Sequence, residues 1–143
     1  MGVPKYQELM LAMGYGADPA AGFVTKMSGD GGIDGVVLED RLGFGTIYIQ
    51  AKLWAADRTV GRPELQKFAG ALAGEGATKG IFMTTAKFTD NARSYVDHLS
   101  TAKIVLIDGV RLTQLMIENN IGVSVRKCYE MKSIDRDFFS LED

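Results

Sequence analysis

Two short, almost wholly apolar runs constrain this chain most: residues 80–84 (GIFMT) and 104–107 (IVLI). Each is too short for a helix, and each lies between segments with helical spacing. Neither has the polar alternation of a strand with one wet face. Such runs read as strands buried on both faces and joined by helical crossovers, which sets them parallel in one sheet. Upstream the pattern changes. Residues 46–52 (TIYIQAK) alternate strictly, with Ile47, Ile49 and Ala51 on one face and Tyr48, Gln50 and Lys52 on the other. Residues 33–38 read as the strand before it, reached through a hairpin loop at 39–45 that holds two glycines.

The connecting segments have clear signals. Residues 5–13 place Tyr6, Leu9, Met10 and Met13 at helical spacing, with Pro4 near the start and Gly14 and Gly16 beyond the end. Phe23 and Val24 suggest a short strand. Pro63 suits the first turn of a helix that runs to about Ala73 and turns Leu65, Phe68, Ala69 and Leu72 inward. Thr89 is a good N-cap for a helix through Ala92, Tyr95, Val96 and Leu99. A further helix at 108–118 turns Val110, Leu112, Leu115 and Met116 inward, and Ile121, Val123 and Val125 alternate as a last strand. The order α-β-β-β-α-β-α-β-α-β predicts an α/β fold, a mixed central β-sheet flanked by α-helices.

At 143 residues and 46% hydrophobic, the chain suffices for one sizeable core. The expectation is a single domain over 1–143, with a polar tail at 130–143 that ends near Phe138-Phe139. No stretch is long and apolar enough to span a membrane, and the first residues lack the pattern of a secretory signal, so a cytoplasmic protein is expected. One cysteine, Cys128, excludes an intrachain disulfide and a multi-cysteine zinc site; its context suggests a packed strand thiol. The single His98 excludes an HExxH site and reads as an ordinary helix-surface histidine. GxSxG and GxxxxGK[ST] are absent, and the glycines at 29–32 lead into a strand rather than the helix that a dinucleotide fingerprint needs.

The net charge of −2 argues against a strong nonspecific polyanion binder. Five acids and two bases of the tail carry that excess, so the body stands at +1. Any nucleic-acid role therefore needs local charge placement or a partner.

One polar constellation stands out. Asp34 opens a strand after the glycine-rich 28–32 loop, and Gln50 and Lys52 share a face of the next strand. In a hairpin the three converge at one end of the sheet. A carboxylate, an amide oxygen and an ammonium close together suit a hard divalent cation beside a phosphate. Spacing alone equally describes an aspartate that caps a turn and two polar residues on a solvated sheet face.

The joined string SGDGGIDG, YIQAK, GRPELQKFAGAL, KGIFMTTAKFTDNA and IVLIDG resembles the catalytic domain of Mrr-like restriction endonucleases, in the PD-(D/E)xK nuclease superfamily. The likeness runs from Tyr6 to about Val125. It implies a restriction-endonuclease-like core, DNA as partner, and phosphodiester hydrolysis with Mg²⁺, for which Mn²⁺ can substitute. By this resemblance the metal-binding aspartate falls on Asp34, the QxK pair on Gln50 and Lys52, and the first-helix acid on Glu8. Ile33 stands where the superfamily name has proline, and Gln50 where it has Asp or Glu, both usual for this branch. Ala86 replaces a serine common in the family.

With Gln50 neutral, a site with two carboxylates favours Glu8 over its default exposed position; Asp30, between glycines, suits a turn cap better. The expected ligand set is Asp34, Glu8, Gln50 and the backbone carbonyl of Ala51, with Lys52 at the water and the phosphate. Lys26, Arg58, Arg62, Gln66, Lys67 and Lys87 flank this set and are candidate DNA contacts, each equally readable as solvated surface. Trp54 reads as a loop anchor rather than a base-stacking platform. Cutting both strands implies a homodimer or higher oligomer, and the length leaves the DNA-reading domain of such systems to another domain or subunit. The competing expectations are a catalytically silent nuclease-fold module for DNA binding or assembly, and a nuclease acting on branched DNA or RNA.

Overall fold

A computed structural model describes residues 5–13, 23–25, 33–39, 42, 44–124 and 126–134. Helix α1 (Lys5–Ala12) is followed by strands β1 (Phe23–Thr25), β2 (Gly35–Leu38), β3 (Thr46–Lys52) and β4 (Thr59–Val60). Then come α2 (Arg62–Gly74), β5 (Lys79–Thr84), β6 (Lys87–Phe88), α3 (Asp90–His98), β7 (Lys103–Ile107) and α4 (Gly109–Glu118). Among the described residues, five strands form the main sheet in the order β1-β2-β3-β5-β7, and β4 and β6 make a small parallel pair. β1, β2 and β3 run antiparallel as neighbours, whereas β3, β5 and β7 are parallel. The sheet is mixed for the reason the sequence suggests: tight connections come first and helical crossovers follow.

The strict alternation of β3 divides the core into two layers. Ile47 and Ile49 join Val37, Ile81, Met83 and Ile107 beneath Leu9 and Met10 of α1 and Leu115 of α4. On the other face Phe82 and Ile104 pack under Leu65, Phe68 and Leu72 of α2 and Ala92 of α3, with Val36 and Tyr48 at the margin. Phe82 is the hinge of that layer, making edge-on contacts with Phe68 at 5.6 Å and Phe88 at 5.8 Å between ring centres. β5, central and apolar, is buried along all but its first residue. Thr89 caps α3 as the sequence suggests, its Oγ1 accepting from Ala92 N at 3.1 Å, whereas Asp108, expected inside the last helix, caps it, its Oδ1 accepting from Arg111 N at 2.9 Å.

Several expectations are corrected. β7 carries the apolar run of a doubly buried strand but lies at the sheet edge, where Val105 is 46% exposed. No strand forms over 121–124, and Val123 is exposed, so β7 gains no outer neighbour among the described residues. Val110 points outward, because α4 packs mainly through Leu115 with Leu112 at the margin. Cys128 is exposed rather than packed in a strand. The two-residue strands β4 and β6 were not expected at all. Lys26, Asp30, the 28–32 loop, Val125 and Phe138-Phe139 lie outside the described residues.

The turn between β7 and α4 passes against the end of β5. Gly109 N donates to the Ala86 carbonyl at 3.0 Å, and a Cβ at Gly109 would come 2.4 Å from the Thr85 carbonyl oxygen. That neighbour is backbone, which cannot yield as a side-chain tip would. Gly109→Ala is therefore expected to destabilise the protein by about 1–3 kcal/mol, read as a lower urea midpoint with an unchanged slope.

Candidate active site

The end of the β2–β3 hairpin opposite its loop is closed by Asp34. Its backbone N–H donates to the Ile49 carbonyl at 2.7 Å, and its Oδ2 accepts from the Ala51 N–H, also at 2.7 Å. Asp34 thus grips β3 on both sides of Gln50. The carboxylate is tied to the sheet by this charge-assisted bond to the backbone of residue 51.

Gln50 is 95% buried, on the same pleat face as Tyr48 and Lys52. Its Nε2 makes one long contact, 3.5 Å, to the Ala51 carbonyl, and its Oε1 is buried with no hydrogen-bond partner. Leaving a buried acceptor unmatched costs about 1–3 kcal/mol.

Lys52 ends β3, half-buried, and among the described residues no carboxylate lies within ion-pair distance of its ammonium. Its backbone is held by a residue that the sequence reading did not single out. Thr84, fully buried at the end of β5 and paired with Lys52 in the sheet, donates Oγ1–H to the Lys52 carbonyl at 2.7 Å. The same oxygen accepts from Ala86 N at 3.0 Å. Thr85 follows suit: its N–H reaches the Lys52 carbonyl at 3.4 Å and its hydroxyl donates to the Trp54 carbonyl. The signal was the paired threonines at the carboxyl end of a buried strand, where side-chain hydroxyls take over from the ending ladder. Ala86 is itself buried, so the hydroxyl it lacks concerns the interior rather than the open face.

The structure brings together Asp34, Gln50, Ala51 and Lys52, at the carboxyl ends of parallel strands where open α/β sheets bind ligands. Glu8 stands apart in what it touches. It is exposed on α1, a helix that packs through Leu9 and Met10 on the Ile47 and Ile49 face, opposite Gln50 and Lys52. No cluster of three His, Cys, Asp or Glu side chains forms among the described residues.

The basic candidates divide. Arg58 lies over the Trp54 ring at 4.3 Å and Arg62 over Tyr95 at 5.2 Å. Trp54 is partly buried against the α2–α3 layer, so it is the anchor the sequence suggested. Lys67 is paired with Glu64 at 3.8 Å, while Gln66 and Lys87 are exposed. His98 is also exposed, its Nδ1 2.8 Å from the Ser94 carbonyl.

A mixed sheet with this hairpin and these crossovers is the core of restriction endonucleases, and solved structures of that class share it. The MspJI restriction endonuclease, solved with a 27-mer oligonucleotide, superposes with a TM-score of 0.56 at 23% identity, over 82% of this chain and 27% of that one. The DNA modification-dependent restriction endonuclease AspBHI gives 0.55 at 19% identity, over 86% and 37%. The family follows from sequence. A family model for the Mrr catalytic domain, described as a restriction endonuclease, matches residues 6–116, and the chain belongs to that family. The type IV methyl-directed restriction enzyme EcoKMrr of Escherichia coli is 52% identical over 112 residues, 78% of this chain. Those residues are 35% of that enzyme, so the chain spans about a third of its length.

Thr84 offers a test of how the site is held. Thr84→Val keeps shape but strands the Ala86 N–H and leaves the Lys52 carbonyl with the long 3.4 Å bond from Thr85 N, and about 1–3 kcal/mol of stability should be lost. Thr84→Ser, which restores the hydroxyl, should recover most of the hydrogen-bond contribution in the same urea titration.

Proposed function

We propose that this chain is a Mg²⁺-dependent DNA endonuclease domain, the catalytic part of a modification-directed restriction system. The observation that carries the reading is the buried, unpartnered Oε1 of Gln50, on the same strand as Lys52 and next to the residue whose N–H holds the Asp34 carboxylate. The donors suit a hard cation: Asp34, Gln50 Oε1 and the Ala51 carbonyl are all oxygens, and Glu8 is the first-helix acid that the family resemblance offers as a second carboxylate. Mg²⁺, when bound there, supplies a Lewis acid at the phosphate and a more acidic water.

The chain's own residues do the rest. Asp34 cannot swing away, because its bond to Ala51 N fixes it to the strand that carries the other groups. Gln50 adds an oxygen without adding charge, which leaves room for the anionic phosphate. Lys52, free of any carboxylate among the described residues, offsets charge that builds on the attacked phosphate and orients the attacking water. Hydrolysis of both strands calls for two such sites, hence a homodimer or a larger assembly on DNA. Recognition of modified bases belongs to a separate DNA-reading domain or subunit.

Supercoiled plasmid incubated with Mg²⁺ should be nicked, Mn²⁺ should substitute, and EDTA should abolish the reaction. Asp34→Ala and Lys52→Ala should each lower the rate by about 10²-fold or more. Equal nicking by the wild type and both variants overturns the site. Glu8→Gln should raise the Mg²⁺ concentration needed for half-maximal cleavage, and an unchanged requirement removes Glu8 from the ligand set.

A further inference from the structure

Beyond the strand ends, a cleft of about 370 Å³ opens along the outer side of α3 and the start of α2. Arg62, Asn91, Ser94, Tyr95, His98 and Ser100 line it, and among the described residues no acidic side chain does. In a chain with a net charge of −2, a cleft with a cation and no carboxylate is a departure from the average surface.

The state of Arg62 sharpens this. Three guanidinium groups stack on aromatic rings: Arg58 on Trp54, Arg62 on Tyr95 and Arg93 on Phe88. Arg93 is also bound to Asp108 at 3.0 Å, so its charge is already matched. Arg58 and Arg62 have no carboxylate within ion-pair distance among the described residues. Stacking fixes the plane of a guanidinium and leaves its N–H edge to solvent, so little rotamer freedom remains to be lost when an oxyanion arrives. The amide of Asn91 and the hydroxyls of Ser94 and Ser100 add neutral donors around the same space.

The cleft is also tied to the site. Thr89 N donates to the Val60 carbonyl at 3.0 Å and Lys87 N to the Arg58 carbonyl at 3.3 Å, which strap the approach to α2 onto the approach to α3. The strapped segments leave β3 at Lys52 and β5 at Thr84. Along the chain, Arg58 and Arg62 follow Lys52 on the segment that leads to the cleft.

Building on the nuclease reading, we propose that this cleft is a second DNA contact, which seats a backbone phosphate of the strand beyond the one to be cut, with Arg62 as its charged partner. Arg58, between Lys52 and Arg62 in the chain, is the next cation along that segment toward the site. Such a contact explains how a chain without net positive charge holds a polyanion: with few cations, each preset and unpaired.

The test is fluorescence anisotropy with a labelled DNA duplex in EDTA, where nothing is cut, across a salt series. Arg62→Gln should weaken binding roughly tenfold, the loss of one charge-assisted bond, and lower the slope of log K against log salt by about 0.9, one phosphate. Ser94→Glu, which puts a carboxylate into the cleft, should weaken binding at least as much. Arg111→Gln removes the same charge from α4, where Arg111 faces Glu118 at 4.0 Å, and should leave affinity within about twofold. Equal effects of Arg62→Gln and Arg111→Gln, or no binding of the duplex by the wild type, overturn the cleft. The two readings fail separately. Binding that depends on Arg62 without metal-dependent nicking sinks the nuclease and spares the cleft; nicking that depends on Asp34 with a salt slope indifferent to Arg62 does the reverse.

Discussion

The Asp34 carboxylate and the Ala51 N–H hold the candidate site together, and the surrounding fold follows from what that bond requires. For it to form, β2 must pair antiparallel with β3 in one register, since a slip of one residue would send Gln50 and Lys52 into the Ile47 and Ile49 layer. The register is fixed by burial on both faces, with Val37 in one layer and Val36 against the other. The same packing that stabilises the sheet therefore aims the polar residues. Thr84 completes the arrangement from the other side of β3 by fixing the Lys52 carbonyl. Lys52 is held through its backbone while its side chain stays available.

The two strand pairings of β3 divide the labour. Its antiparallel neighbour supplies a carboxylate at the end of the hairpin, and its parallel neighbour supplies a helical crossover that starts near the same end. A wholly antiparallel sheet would lack the crossovers that place α2 and α3 beside the strand ends. A wholly parallel one would lack the tight return that brings Asp34 back to Ala51. The mixed sheet is the arrangement in which both arrive together, which is why an order of hairpin first and crossovers after carries functional meaning here.

Much of this is legible in the sequence, and the limits are physical. Strand β3, helices α2 and α3, and the Thr89 cap are local features, set by periodicity and by side chains that bond within a turn of themselves. β4 and β6 escaped because two residues leave no period, and their pairing joins segments 28 residues apart in the chain. β7 was misjudged because an apolar run records the burial of side chains and does not count neighbouring strands. Val110 and Cys128 failed for a related reason: helical or alternating spacing gives a direction, but only the packed neighbour decides whether that direction is inward. The site itself was half legible. Residue types and spacing suggested Asp34, Gln50 and Lys52. That Gln50 would be buried with a bare oxygen, and that Thr84 would hold Lys52, depends on contacts across the sheet that no local pattern encodes.

The choice of an amide at position 50 follows from its burial. A carboxylate buried to the same degree, within reach of the pinned Asp34, would carry a desolvation penalty of several kcal/mol and repel its neighbour when no cation is present. The neutral side chain confines the cost to one unmatched acceptor, so the fold tolerates an empty site. The consequence is a shortage of negative charge to hold a cation, which a second acid or the anionic phosphate itself has to supply. On the proposed reading, metal and DNA would therefore bind together more readily than either alone. Arg58 and Arg62, without an ion-pair partner among the described residues, would then carry more of the proposed grip than their number suggests.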